Sequence, residues 1–384
     1  MSHIIRFFLL LTAALASAAS HAVPITPDSD AQVIETLPAT SGSRSEERRL
    51  RRELAAQPRD GKRAALLAQR LIDQARETGD PRLAGQALAA LQAWPDAATA
   101  PSEVLLMQAT VQQYLHDFDG AAKLLESLIA RDARQPQALL TLATVRRVQG
   151  RYAESDRACA QLNALGAVLY ASACQAENEA LRGEFDAARQ RLARLLADPR
   201  QPAATRNWLL TTAAELEERA GRAGEADANY KAALAAQGDG YTLVAYADFL
   251  IAQRREAQAL VLLRSHPRTD AVLLRLAIAG TRSGAPEALA DAREMRERIA
   301  QANLRPQAQT LHAREQAMFA LWVEAQPEQA LALARANVGL QREPIDVLLL
   351  AQTAKAARQR VASQEADRLR KDMGLHDRRL DALL

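Results

Sequence analysis

Aromatic side chains supply only 4% of this 384-residue chain, and glycine only 16 positions. Together with few β-branched residues, that scarcity removes the usual material of strands and tight hairpin turns. Two cysteines exclude a disulfide-dense scaffold and any four-cysteine zinc site. Neither sign of charge dominates: the formal net charge is +3, and the charged quarter of the chain mixes both signs. This is a solvated helical surface, not an electrostatic footprint for nucleic acid. Past the first residues, no apolar run is long enough to span a membrane. What remains plentiful is alanine, leucine and arginine, the good helix formers. An all-α fold follows, in a chain long enough to build its core without staples.

The first residues read as an export signal. "MSHIIR" is a short basic start, "FFLLLTAALASAA" an apolar run, and "SHA" before Val23 a small-x-small cleavage site. Cleavage is expected after Ala22, with Ala18 as second choice, so residues 1–22 are assigned to the signal. The alternative, an uncleaved anchor, suits neither the length nor the flanks of the run. No cysteine near the cleavage site invites a lipid. A periplasmic or secreted, soluble protein is expected.

Residues 23–44, "VPITPDSDAQVIETLPATSGSR", are rich in proline and serine and read as an extended linker. Val33, Ile34 and Leu37 form a small apolar cluster in it, either brushing the first hairpin or serving as a docking peptide. Residues 45–62 read as a basic helix with Glu46, Glu47 and Glu53 as local partners of its arginines. Contact with anionic lipid headgroups is the other reading of that stretch.

An internal repeat organises the rest. Phe118, Tyr152 and Phe185 recur about every 34 residues. Three places after each stands a small residue (Ala121, Ser155, Ala188), and seven places after each stands Leu125, Cys159 or Leu192. Small residues also precede the turns at Ala109, Ala143 and Ala176. Small positions let two antiparallel helices approach, the aromatic fills the gap to the neighbour, and Gly150 suits a left-handed helix end. With these positions in phase, the chain resembles the tetratricopeptide repeat family over most of Arg63 to Met373. The resemblance implies an α-solenoid of about nine stacked hairpins over residues 63–374, whose first helices line a concave surface. First helices are expected to begin near Arg63, Ser102, Gln137, Val168, Thr205, Tyr241, Asp270, Pro306 and Pro344. Residues 375–384 are expected to form a capping helix over the last apolar face.

Cys159 and Cys174 fall on neighbouring helices of adjacent hairpins. A disulfide would close a loop of about fifteen residues and stabilise by roughly 3 kcal/mol; two buried thiols acting as small hydrophobes are the alternative. Catalytic patterns are missing from the sequence. The histidines lack zinc spacing, Gly61-Lys62 lacks the rest of a phosphate loop, and there is no Gly-x-Ser-x-Gly elbow. No cofactor, metal or nucleic-acid partner is expected.

A binding strip is legible instead. Tyr170, Trp208 and Tyr241 stand near the second position of three consecutive first helices, and Glu177, Glu215 and Asp248 stand seven places later. Seven residues is about two turns, so each ring shares a face with its acid. Gln113, Tyr114 and Arg147 extend the strip. The competing reading packs the rings on the preceding hairpin and pairs the acids with arginines such as Arg219. The expected function is an exported, non-catalytic scaffold holding a protein or peptide in its concave groove, in envelope assembly or transport. A polysaccharide- or peptidoglycan-binding accessory is the second reading, and an enzyme with an unrecognised site the third.

Overall fold

The computed structural model describes residues 42–304 and 308–384. Two units, Met1–Arg49 and Leu50–Leu384, divide the chain. Of the first, only residues 42–49 are described, as the opening turns of α1 (Gly42–Ala56). The signal and nearly all of the 23–44 linker lie outside the described residues, but residues 42–44, assigned to that linker, are already helical.

Nine antiparallel hairpins follow. Their paired helices are α2 (Gly61–Thr78) and α3 (Arg82–Ala90), α4 (Ser102–Tyr114) and α5 (Phe118–Arg131), α6 (Pro136–Val148) and α7 (Tyr152–Ala164). Next come α8 (Val168–Leu181) and α9 (Phe185–Leu196), α10 (Ala203–Arg219) and α11 (Ala223–Gln237), α12 (Gly240–Ala252) and α13 (Glu256–Arg264). The last three are α14 (Asp270–Ser283) with α15 (Ala288–Ala302), α17 (Ala313–Trp322) with α18 (Pro327–Leu340), and α19 (Pro344–Ala356) with α20 (Arg360–Met373). One-turn helices α16 (Ala308–Leu311) and α21 (Arg378–Asp381) complete the set, and no strand occurs among the described residues. The basic helix expected to run to residue 62 ends at Ala56, because Asp60 caps α2 by accepting from the Arg63 amide. Pro306, where the eighth hairpin was expected to start, lies outside the described residues; its first helix is broken at His312.

Every hairpin turn holds one residue in the left-handed region. These are Gly79, His116, Gly150, Gly183, Gly221, Arg254, Gly284, Ala325 and Arg358, with φ between 53° and 82°. The recurrence explains the glycines in the repeat pattern: that conformation is free for glycine and costly for a residue with a Cβ. Small residues perform as the pattern requires, with Ala109, Ala143, Ala176 and Ser155 fully buried. Phe118 and Tyr152 start second helices and are buried behind them. First helices pack on first helices from α2 through α19, so they form one continuous inner wall.

That wall curls until the coil meets itself. The turn of hairpin one, at Gly79, lies against Thr269 at the head of hairpin seven. At hairpin two, His116 comes within reach of the charges of Glu315 and Arg314 in hairpin eight. At hairpin three, the Val148 carbonyl accepts from the Arg342 amide at 2.6 Å, and Gly150 abuts Met373. At hairpin four, the Leu181 carbonyl accepts from the His376 amide at 2.8 Å. The expected C-terminal cap is therefore also a strap. Its Leu375 and Leu380 are buried in the last core, while its backbone and Arg379 fasten to hairpins four and five.

Two apolar cores hold the ends of the coil. One runs from Leu50 through hairpins one and two to Val145, the other occupies hairpins five to nine. Between them the apolar clusters are small and alanine-rich. Cys159 and Cys174 sit in that thin middle, both fully buried, at disulfide distance with Cα atoms 5.8 Å apart.

Candidate functional site

The curled inner wall borders an open hollow of about 730 Å³. First helices α2, α4, α6, α8, α10 and α12 line it, and Glu343 and Pro344, at the head of α19, close part of its perimeter. Six of the nine residues selected from sequence meet here: Gln113, Arg147, Glu177, Trp208, Glu215 and Tyr241. They belong to five consecutive first helices. Residues so distant in sequence share a wall because each hairpin repeats the same inward-facing positions.

Three selected residues do not line the hollow. Tyr170 stacks on Trp208, with ring centroids 6.1 Å apart and planes inclined by 26°. Asp248 is engaged in a two-pronged ion pair with buried Arg275, at 2.9 and 2.7 Å. Its neighbour along the inner wall claims it, so the ladder of acids stops at Glu215. Tyr114 packs instead against the N-terminal core.

The competing reading of the strip is thus met in part. Glu177 is paired with Arg147 across adjacent first helices and accepts from the Thr212 hydroxyl at 3.4 Å. Glu215 has no arginine in hydrogen-bond contact; the Tyr241 hydroxyl donates to it at 2.6 Å. Burial pushes the Glu215 carboxyl up to about 7, with Glu177 and Glu218 adding to the rise and Arg219 and the Tyr241 hydrogen bond opposing it. The same proximity, together with burial, holds the Tyr241 phenol well above its ordinary value. Tyr241 keeps 63% of its surface open, and its hydroxyl is held by Glu215 at the edge of the hollow.

Sequence reasoning missed a polar lock behind these groups. Asn207 donates to Thr242 at 3.2 Å and to the Ala233 carbonyl at 3.1 Å, while the Thr211 and Thr242 hydroxyls meet at 2.8 Å. This buried network fixes α10 against α12 and so sets where Trp208 and Tyr241 point. Polar residues on otherwise apolar inner faces were its only signal. The chain-distant Glu343 had none. Among the described residues, no three His, Cys, Asp or Glu side chains are grouped to hold a metal ion. No described helix is long and apolar enough to cross a membrane.

No known protein family and no curated protein sequence matches the chain. Solved structures similar to it include a tetratricopeptide repeat protein from Parabacteroides merdae, 16% identical, covering 58% of this chain and 85% of that one, TM-score 0.46. Yeast Tom70 is 12% identical, covering 86% of this chain and 81% of that one, TM-score 0.41. The TPR domain of P58(IPK) is 15% identical, covering 82% and 99%, TM-score 0.23. This is a tetratricopeptide-like solenoid. Nine in-phase hairpins with nine left-handed turns carry that statement. The fold suits protein interaction in general, through a wall of repeated positions that offers many contact groups along one surface.

Proposed function

We propose that this solenoid is an exported, non-catalytic scaffold of the cell envelope that holds its partner by a segment inserted into the inner hollow. The single observation behind this reading is the convergence of Gln113, Arg147, Glu177, Trp208, Glu215 and Tyr241 on one hollow. Rings there offer stacking area, and the acids accept from donors of the guest. Export is supported by the apolar, small-residue-terminated start of the sequence and by a cysteine pair at disulfide distance. In the first instance the partner is a polypeptide, as the repeat architecture suggests.

A second reading, an envelope glycan, is favoured by the lining itself. Its threonines and amides (Thr110, Gln113, Gln137, Thr144) add hydrogen-bonding groups to the hollow that Trp208 also lines.

In-cell crosslinking followed by identification of co-purifying molecules tests the scaffold role. The double substitution Trp208→Ala with Glu215→Gln should lose the co-purifying partner while circular dichroism stays unchanged. Full retention of the partner by that variant rules the hollow out as the binding site.

A further inference from the structure

Three consecutive first helices end against the far end of the chain. The Val148 carbonyl, last in α6, accepts from the Arg342 amide at 2.6 Å, and the Leu181 carbonyl, last in α8, accepts from the His376 amide at 2.8 Å. In the last turn of α10, Glu218 is ion-paired with Arg379. The final carbonyls of a helix lack partners within it and carry the negative end of its dipole. Here donors from beyond hairpin eight supply two of them, and a cation stands at the third helix end. These are the helices that bring Arg147, Glu177, Trp208 and Glu215 to the hollow.

The turns beside these helix ends are shaped for that contact. All three hold glycine, at Gly150, Gly183 and Gly221. A Cβ on them would stand 3.0 Å from the Met373 side chain, 2.9 Å from the His376 Cβ and 3.1 Å from the Arg378 Cδ. The left-handed backbone alone does not demand glycine, since His116, Arg254, Ala325 and Arg358 hold the same conformation in four other turns. Gly284, in the turn of hairpin seven, has nothing within 4 Å of where its Cβ would stand. Glycine in turns three to five therefore serves a close approach as well as a backbone conformation.

The segment that approaches is anchored on its other side. Leu375 and Leu380 are buried in the core of hairpins five to nine, to which Tyr152 and Leu181 also contribute across the seam. The Arg342 bond to Val148 holds the next two residues, Glu343 and Pro344, against the hollow. Each polar fastening is small in net terms, because water satisfies the same groups once the seam parts. A seam of this kind opens before any hairpin unfolds.

We infer that the strap is a clasp: seated on the glycine turns of hairpins three to five, it holds the coil at the pitch that completes the hollow, and its release widens the hollow and frees the partner. This rests on the reading of the hollow as the partner site and adds how that site is kept closed.

Hydrogen exchange and small-angle scattering of the full processed chain test the clasp, beside the yield of partner recovered by in-cell crosslinking. Gly183→Ala and Gly284→Ala put the same methyl group on the same left-handed backbone, at φ 82° and 68°, but only the first meets the strap. Gly183→Ala should speed exchange of the His376 amide about tenfold or more, raise the radius of gyration and cut the recovered partner. Gly284→Ala should leave all three at the parent's values. Arg379→Glu should act like Gly183→Ala, and adding Glu218→Arg should restore the closed coil by reversing the pair. Equal exchange in the two glycine variants, or an unchanged radius of gyration in Gly183→Ala and Arg379→Glu, makes the strap a passive cap and overturns the inference. So does a widened coil that recovers its partner undiminished. If the parent's recovery does not depend on Trp208 and Glu215, the reading of the hollow fails, and with it the clasp's service to it, while exchange and scattering still decide the closure.

Discussion

Arg379 is ion-paired with Glu218, 161 residues earlier in the chain, and the same guanidinium grips Asp377 at 2.6 Å. This places the C-terminal strap on the turn of hairpin five, beside the Tyr230 hydroxyl that donates to Glu218 at 3.1 Å. A charge-assisted, part-buried contact of this kind is worth about 1.5–3 kcal/mol. Arg379→Ala should lower unfolding stability by about that amount in urea titration. It should also speed amide exchange at His376, whose N–H is bonded to Leu181 across the same seam. Unchanged exchange at His376 would mean that the strap does not depend on this pair.

Glu215 should make the protein less stable as pH rises. Its carboxyl is raised in the folded state to about 7, so the folded chain holds a proton that the unfolded chain has already released. Stability from this group is full below the ordinary glutamate range and falls as pH climbs to about 7. The groups facing it are Tyr241, Arg219, Glu177 and Glu218. Glu215→Gln mimics the protonated form. Its melting temperature should exceed the parent's by more at pH 8 than at pH 5; a constant difference across that range contradicts the assignment.

The cysteine pair should be bonded in the exported protein. Mass spectrometry of the unreduced chain should find no alkylatable thiol. Reduction should cost roughly 3 kcal/mol, the value for a loop of this length, and the loss should show first in hairpins three and four, where the apolar clusters are smallest. Two free thiols would end the expectation.

Ala325 occupies the left-handed position of the eighth turn at φ 53°. Four of the nine turns lack the glycine that this conformation favours. Ala325→Gly should raise stability by about 0.5–1 kcal/mol, the strain of a Cβ there less the entropy glycine adds to the unfolded chain. Thermal denaturation of the single variant checks it, and a destabilised variant would show that the turn is not strained.

The hairpins were legible in the sequence because their determinants are local. Ala143, Gly150, Tyr152 and Ser155 lie within one repeat, and spacing alone places them on facing helices. Arg254 and Arg358 show that the turn position persists without glycine, which composition could not reveal. Closure of the coil was not legible. Val148 meets Arg342 only because a small rotation per hairpin accumulates over six of them, and no single repeat records that rotation. For the same reason the strip read from sequence meets the hollow only in part. Glu177 and Glu215 face inward as their spacing indicates, whereas Asp248 is taken by Arg275, a partner on the next first helix. Arg219 was weighed only as a counter-ion for the acids, and its place on the hollow emerges from the packed wall.

Site-specific photocrosslinking in intact cells tests the central claim most directly, with a benzophenone amino acid at position 208 inside the hollow or at position 261. Val261 is 74% exposed on the second helix α13, which takes no part in the lining. Adducts should form from position 208 and be absent from position 261. Adducts from position 261 alone would place the partner off the inner wall and contradict the assignment of the hollow as its site.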